Sequence, residues 1–170
     1  MTLSASTSTA SAPQSFIARQ ATERVAPPGT TRVQARVLIA DDHMIMRHSV
    51  SRLLSLELGL KVVGEAVNGQ EAVRLARALR PDIVIMDINM PVMNGIEATF
   101  LIMEEHPDTM VVGFSSVTEN HIRNAMLGAG AVDLLDKGTA ACSLLPAILQ
   151  LWAERVFMKG TTEFKKAREA

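Results

Sequence analysis

The chain has 170 residues, about the length of one domain, and 48% of them are apolar, which is enough for a substantial core. Its 17 basic and 18 acidic residues nearly cancel, which argues against a surface for nucleic acid or anionic membranes. A single cysteine, Cys142, excludes an internal disulfide and fits a reducing compartment. No apolar run approaches the roughly 20 residues that span a bilayer, and no secretory signal follows Met1.

The two ends of the chain differ from its middle in composition. Residues 1–35 are rich in Ser, Thr, Ala and Pro and contain few large apolar side chains, so we predict a disordered arm there. The Ser- and Arg-rich, acid-poor start leaves an organelle transit peptide as the alternative. Residues 157–170 are predicted to form a polar tail that frays from about Lys159. The folded domain is therefore expected over residues 36–156.

Between these ends, short apolar runs alternate with helical patterns. Strands are predicted over residues 37–40, 61–66, 83–86, 110–114 and 131–135. Helices are predicted over residues 43–58, 94–105 and 118–128, with two more after Asn68 and from near Ser143. Five strands alternating with five helices indicate an α/β fold, with a parallel sheet covered by helices on both faces. The favoured topology is a doubly wound, flavodoxin-like (βα)5 three-layer sandwich with strand order 2-1-3-4-5.

Helical periodicity also predicts which side chains enter the core. Ile45 is assigned to the buried face of the first helix, and Phe100 to that of the third. The last helix is expected to begin near Ser143, because Pro146 is tolerated only in a first turn. Its buried face is predicted to contain Leu145, Ile148, Leu149, Trp152 and Val156. Leu144 and Leu151 fall outside that stripe and are interpreted as part of an interaction surface, with ordinary surface leucines as the alternative.

Polar residues stand where the predicted strands end. Asp41 and Asp42 follow the first strand, Asp87 the third, Ser115 the fourth and Lys137 the fifth. In the predicted strand order all of them meet at one edge of the sheet. Two like charges 4 Å apart repel by about 4 kcal/mol at an effective dielectric of 20, so a divalent cation or a protonated carboxyl is expected there. A set of oxygen ligands without His or Cys favours Mg²⁺.

A magnesium ion beside a carboxylate, a hydroxyl and an ammonium is typical of phosphoryl transfer, which depends on positioning and charge neutralisation. Asp87 would be the nucleophile that forms an acyl phosphate. Ser115 would hydrogen-bond the phosphoryl group, and Lys137 would neutralise it. Taken singly, Asp41, Asp42 and Ser115 could instead cap helices, and Lys137 could be a solvated turn residue. Their joint position at strand ends favours the functional interpretation.

Four stretches resemble the motifs of a response regulator receiver domain, and some are most similar to receivers of the NarL/FixJ type. They are Val37-Leu38-Ile39-Ala40-Asp41-Asp42-His43, Met86-Asp87-Ile88-Asn89-Met90-Pro91-Val92-Met93-Asn94-Gly95, Phe114-Ser115-Ser116 and Leu135-Asp136-Lys137-Gly138. The resemblance implies a cytoplasmic two-component protein that is phosphorylated on Asp87 by a histidine kinase or phosphotransfer protein. It also implies Asp42 as a direct Mg²⁺ ligand, Asp41 acting partly through water and the Asn89 backbone carbonyl as a further ligand, with Ser115 and Lys137 as a switch pair.

Some positions depart from this family pattern. Leu134 stands where many receivers carry Tyr or Phe, and Gly138 stands where many have Pro. The residues after the last helix are too few for a DNA-binding domain, so a stand-alone receiver without nucleic-acid contacts is expected. Its output would be contacts of helix four, strand five and helix five with a downstream protein. The alternatives are a fragment of a hybrid kinase or DNA-binding regulator, and an Mg²⁺-dependent phosphohydrolase.

Overall fold

The computed structural model describes the backbone of residues 34–169 and the side chains of residues 34–139 and 143–158. The predicted disordered arm therefore lies almost entirely outside the described residues. The strands are β1 (Ala35–Ala40), β2 (Leu60–Ala66), β3 (Ile83–Met86), β4 (Met110–Ser115) and β5 (Asp133–Asp136). The helices are α1 (Met44–Leu54), α2 (Gly69–Leu79), α3 (Gly95–Glu105), α4 (Asn120–Gly128) and α5 (Ala140–Glu169), and a short 3₁₀ turn (Lys137–Thr139) precedes α5. Among the described helices, none combines the length and apolar character that a membrane span requires.

The five strands form one parallel sheet in the order β2-β1-β3-β4-β5, which confirms the predicted topology. The pairing of Ala40 with Met86 brings the last residues of β1 and β3 side by side. Ser115 pairs with Asp136, so the carboxyl ends of β4 and β5 also lie together. The residues that follow these four strands consequently share one edge of the sheet.

The core consists of two apolar layers, one on each face of the sheet. Successive strand residues point to opposite faces, so Leu38 and Ala40 enter one layer while Val37 and Ile39 enter the other. The first layer also contains buried side chains of α2, α3 and α4, namely Ala72, Val73, Ala76, Ala98, Ile102 and Met126. The second contains buried side chains of α1 and α5, namely Val50, Leu54, Leu144 and Ile148. The chain thus forms the predicted three-layer sandwich.

Two asparagines cap two of the three helices that cover the first layer, α2 and α3. The Asn68 side chain accepts a hydrogen bond from the backbone N–H of Glu71 at 2.8 Å, which confirms the predicted cap. Asn94 does the same for Glu97 at 2.9 Å. Each contact satisfies an N–H group that the first turn of a helix would otherwise leave unpaired, and such caps typically contribute about 1 kcal/mol.

The predicted buried faces of α1 and α3 are partly wrong. Ile45 is 79% exposed and Phe100 is 51% exposed. In α3 the buried positions belong to the smaller Ala98 and Thr99, together with Ile102. Small side chains let the helix approach its neighbours closely, and Phe100 is left on the outer side. The helical period was predicted correctly, but the residues of α3 that face the sheet are those next to the predicted ones.

The last helix differs most from its prediction. Leu144 is only 1% exposed and belongs to the core, so its assignment to an interaction surface was wrong. Leu151 is partly buried against the same layer, whereas Val156 is half exposed. The helix begins at Ala140 and contains Pro146 within it, so Pro146 removes one backbone donor without ending the helix. The helical backbone runs to Glu169, beyond the predicted end near Val156.

We expect Leu144→Ala to lower the free energy of unfolding by about 2–5 kcal/mol, because it leaves a cavity beside β4. The matched control is Leu56→Ala, since Leu56 is 75% exposed and its truncation should change stability by no more than about 0.5 kcal/mol. Urea unfolding of the two variants and the wild type measures both effects. Equal, small losses in the two variants would contradict the burial of Leu144.

Candidate functional site

Two carboxylates are buried side by side where β1 and β3 end. Asp41 is 2% exposed and Asp87 is 3% exposed. The Asp87 backbone N–H donates to the carbonyl of Ala40 at 2.8 Å, which continues the strand pairing up to the site. Arg47 of α1 donates from Nη1 to the carbonyl of Asp41 at 2.7 Å. The backbone of both acidic residues is therefore held by hydrogen bonds independent of their side chains.

Lys137 connects these two carboxylates. Its Nζ lies 2.7 Å from Asp41 Oδ2 and 2.9 Å from Asp87 Oδ2, and its side chain is only 9% exposed. One ammonium thus faces two anions in a low-dielectric setting, and the three groups together carry a net charge of −1. Asp42 adds a third carboxylate at the solvent side, where its side chain is 31% exposed. The site is buried at Asp41 and Asp87 and open at Asp42.

The pKa of Asp87 is raised above its usual value of 3.8. Burial is the largest cause, because it disfavours the charged form. The hydrogen bond and charge of Lys137 lower the pKa, as does the Ile88 N–H, which donates to Asp87 Oδ1 at 2.8 Å. The charge of Asp41 raises it again. Burial and the charge of Asp41 raise the pKa more than Lys137 lowers it, so a further positive charge would stabilise the ionised carboxylate.

The donor atoms of Asp41, Asp42, His43 and Asp87 all lie within 4.8 Å of one another, which is close enough for one metal ion. Asp41 Oδ2 makes no hydrogen bond of acceptable geometry within the described residues, although the Lys137 ammonium lies near it. Lys137 contacts this oxygen from one side, and a carboxylate oxygen has a second lone pair that can face a metal ion. The carboxylate donors fit Mg²⁺, which binds through one or two carboxylates and several waters.

His43 is the member of this cluster that sequence reasoning missed. The prediction was a set of oxygen ligands only, yet His43 Nδ1 lies 2.8 Å from Asp42 Oδ1. The available signal was its position directly after Asp41 and Asp42, at the end of a buried strand. The pattern alone did not indicate that the ring turns back toward the carboxylates.

Ser115 and Asn89 occupy the same edge of the sheet. Ser115 is 1% exposed and accepts a hydrogen bond from the Val117 N–H at 3.1 Å. It pairs with Asp136, the residue before Lys137. Asn89 is exposed, two residues after Asp87. The predicted roles of the Ser115 hydroxyl and of the Asn89 carbonyl stay predictions.

The loop after Asp87 requires glycine at position 95. The Gly95 N–H donates to the carbonyl of Ile88 at 2.8 Å, which folds the loop back on itself. A Cβ at this position would lie 1.9 Å from the Asp87 carbonyl oxygen, a distance that no side chain tolerates. The motif spacing between Asp87 and Gly95 therefore has a steric cause.

The family model for the response regulator receiver domain matches residues 37–149. The chain belongs to the response regulator receiver domain family. The chain is 39% identical over 118 residues to the response regulator GacA of Pseudomonas viridiflava, covering 69% of this chain and 55% of that protein. It is 44% identical over 124 residues to a protein-glutamate methylesterase/protein-glutamine glutaminase of Pseudomonas fluorescens, covering 71% and 33%. The chain thus spans about half, or less, of the length of these relatives.

Solved receiver structures agree with this assignment. The response regulator domain of Thermotoga maritima CheB matches with a TM-score of 0.64 and 40% identity, covering 69% of this chain and 95% of that one. The receiver domain of the putative response regulator NarL from Mycobacterium tuberculosis matches with a TM-score of 0.67 and 33% identity, covering 70% and 96%. The likeness extends to receivers of more than one type. Receivers are signalling domains of two-component systems that bind Mg²⁺ at an acidic pocket, and the Asp cluster described above could hold a metal ion.

The raised pKa of Asp87 predicts a specific pH dependence of stability in chelator-treated protein. An acid whose pKa is raised by folding contributes stability below its usual value of 3.8, and this contribution is lost as pH rises through the folded pKa. The free energy of unfolding of the wild type should therefore fall as pH rises above 3.8, relative to that of Asp87→Asn. At neutral pH the Asp87→Asn variant should be the more stable protein. Urea unfolding at a series of pH values measures this difference.

The matched control is Asp42→Asn, because Asp42 is partly exposed and lies at the solvent side of the same cluster. Its pH profile should follow that of the wild type more closely than the Asp87→Asn profile does. Parallel profiles for the wild type and Asp87→Asn would show that burial does not oppose ionisation of Asp87.

Proposed function

We propose that the chain accepts a phosphoryl group on Asp87 from a histidine kinase or phosphotransfer protein, in a reaction that requires Mg²⁺. The observation that carries this proposal is the Lys137 ammonium, which lies within 3 Å of two buried carboxylates at an edge open to solvent. A structural ion pair would need only one carboxylate. Two buried carboxylates and a third at the solvent side suit a site that binds a cation and a transferring phosphoryl group.

In this proposal Asp41 and Asp42 hold the cation together with Asp87 and the backbone carbonyl of Asn89. Mg²⁺, when bound, would neutralise charge on the phosphoryl oxygens. Asp42 suits direct ligation because it lies at the solvent side, and Asp41 acts partly through water. Arg47 supports the pair indirectly, since its hydrogen bond to the Asp41 carbonyl fixes the end of β1.

The transfer itself needs little covalent chemistry from the protein. An Asp87 carboxylate oxygen attacks the phosphorus, the P–N bond to the donor imidazole breaks, and the imidazole leaves with the electron pair of that bond. Lys137 stabilises the negative charge of the equatorial oxygens, and the Ser115 hydroxyl donates to one of them. The product is an aspartyl phosphate. The chain is on this account a phosphoacceptor that catalyses at most its own phosphorylation and dephosphorylation.

We propose that phosphorylation changes how the surface of α4, β5 and α5 binds a downstream protein. We also propose that the chain is a cytoplasmic receiver of NarL/FixJ type. Arg123 of α4 supports this coupling: its Nη1 donates to the Leu134 carbonyl at 2.9 Å, and Nη2 pairs with Asp133. A shift of α4 would therefore act directly on β5. Leu134 is 3% exposed and offers neither a ring nor a hydroxyl that could exchange partners, so α4 is the moving part of the switch.

Incubation of the full chain with acetyl phosphate and Mg²⁺ should add one phosphoryl group that hydroxylamine removes, because acyl phosphates react with that nucleophile. Asp87→Asn and Asp42→Ala should each prevent the addition, and so should excess chelator. Asp136→Asn is the matched control, since Asp136 is an exposed acid beside Lys137 outside the cluster. Mass spectrometry locates the group. A phosphoryl group on Ser115, Ser116 or a histidine would contradict the proposal, and continuous turnover of p-nitrophenyl phosphate would favour a phosphohydrolase.

The switch predicts where amide exchange changes on activation. Between the free and the beryllofluoride-bound protein, changes should concentrate in residues 115–128 and be weaker around Leu134. Leu134→Ala should destabilise the fold by about 2–5 kcal/mol through lost packing, yet leave phosphorylation of Asp87 intact. Hydrogen–deuterium exchange measures the first effect, and urea unfolding the second. A change confined to β5, with none in the preceding loop and α4, would mean that Leu134 carries the signal.

A further inference from the structure

His43 is placed as a fourth side chain of the cation site. Its Nδ1 lies 2.8 Å from Asp42 Oδ1 and 3.4 Å from Asp41 Oδ1. We propose that His43 is a nitrogen ligand to a divalent first-row transition-metal ion bound by Asp41 and Asp42. This inference rests on the proposed function, because it concerns the same cation site, and it adds a metal preference that the carboxylates alone would not provide.

The spacing of the three donor atoms fits one coordination sphere. With metal–ligand bonds of about 2.1 Å, adjacent ligands of an octahedron lie about 3 Å apart and opposite ligands about 4.2 Å apart. The distances from His43 Nδ1 to the two carboxylate oxygens, 2.8 and 3.4 Å, are close to the adjacent spacing. One donor atom from each of the four side chains of the cluster lies within 4.8 Å of the other three. A metal ion could therefore be bound with only small side-chain movements.

The backbone holds His43 where this approach is possible. His43 is the residue before α1, with an extended conformation and no side-chain hydrogen bond to the first turn of the helix. Its own N–H donates to Asp41 Oδ1 at 2.8 Å, which ties the residue to the carboxylate. The ring is 73% exposed, so it can adjust without loss of core packing. Its orientation toward Asp42 is thus set by the carboxylates, since it does not serve as a helix cap.

Without a metal, the simplest interaction is a hydrogen bond from Nδ1–H of His43 to Asp42 Oδ1. In the bound form the Nδ1 lone pair would face the ion and the ring proton would reside on Nε2. Imidazole is a good ligand for Co²⁺, Ni²⁺ and Zn²⁺, whereas Mg²⁺ favours oxygen ligands. If His43 is a ligand, it therefore raises the affinity for Co²⁺ more than the affinity for Mg²⁺. If it only orients Asp42, it changes both affinities equally.

The test is calorimetric titration of the chelator-stripped full chain with Co²⁺ and, separately, with Mg²⁺. Loss of a group that only orients a metal ligand typically costs about 10–100-fold in affinity, so loss of a ligand should cost at least as much. His43→Ala should therefore lower the affinity for Co²⁺ by at least about tenfold. The affinity for Mg²⁺ should fall less, so the ratio of Co²⁺ to Mg²⁺ affinity should decrease. The control is His48→Ala, because His48 is an exposed histidine within α1 and outside the cluster, and its loss should leave the ratio unchanged.

A second readout identifies the ligand directly. Proton NMR of the Co²⁺ form should contain the strongly shifted ring C–H signal of one imidazole, which is present in His48→Ala and absent in His43→Ala. An unchanged affinity ratio in His43→Ala, or persistence of the shifted signal, would overturn the inference. Failure of the wild type to bind Mg²⁺ or to be phosphorylated on Asp87 would instead contradict the proposed function, so the two failures are distinguishable.

Discussion

The site depends on one interaction, the contact of a single lysine ammonium with two buried carboxylates. Two unit charges 4 Å apart repel by about 4 kcal/mol at an effective dielectric of 20, and burial removes the water that would screen them. Lys137 offsets this repulsion for Asp41 and Asp87 together. Because one cation cannot neutralise two anions, the cluster keeps a net negative charge. Burial is the largest cause of the raised pKa of Asp87, and the charge of Asp41 adds to it. The folded protein therefore has a site whose net negative charge favours the binding of a further cation.

The strand order explains why a lysine fills this role. Lys137 follows β5, while the carboxylates follow β3 and β1, which lie two and three strands away. Neighbouring strands are about 4.8 Å apart, so the group must reach across β4. The long lysine stem does so over Phe114, with Nζ 5.8 Å from the ring centre. Ser115, on β4 itself, reaches the same edge with a short side chain. The reach of each polar group matches the distance of its strand from the acidic pair.

The sequence was sufficient to predict the sheet and the meeting of Asp41, Asp87 and Lys137 at one of its edges, because these depend on local signals. Buried β-branched runs such as Ile83–Met86 end at charged residues, and the parallel topology then brings those residues together. The orientation of the helices was harder to predict. Periodicity defines the angle between side chains on a helix but leaves open which of two adjacent stripes faces the sheet. Phe100 and Leu144 were misassigned for this reason.

His43 was missed for a different reason. Its contact with Asp42 depends on a side-chain rotamer and on the extended backbone before α1, and neither produces a recognisable pattern in the sequence. The end of α5 was likewise misjudged, since a polar composition does not by itself end a helix. Prediction therefore succeeded where strand ends determine position. It failed where packing or a rotamer decides.

The most direct test of the central claim is a crystal structure with Mg²⁺ and beryllofluoride, which mimics an aspartyl phosphate. The account predicts beryllium bonded to an Asp87 carboxylate oxygen. Lys137 Nζ should have exchanged a carboxylate contact for a fluoride, and Ser115 Oγ should have turned from the Val117 N–H to another fluoride. Beryllofluoride bound elsewhere, with Lys137 still 2.7 and 2.9 Å from the two carboxylates, would contradict it.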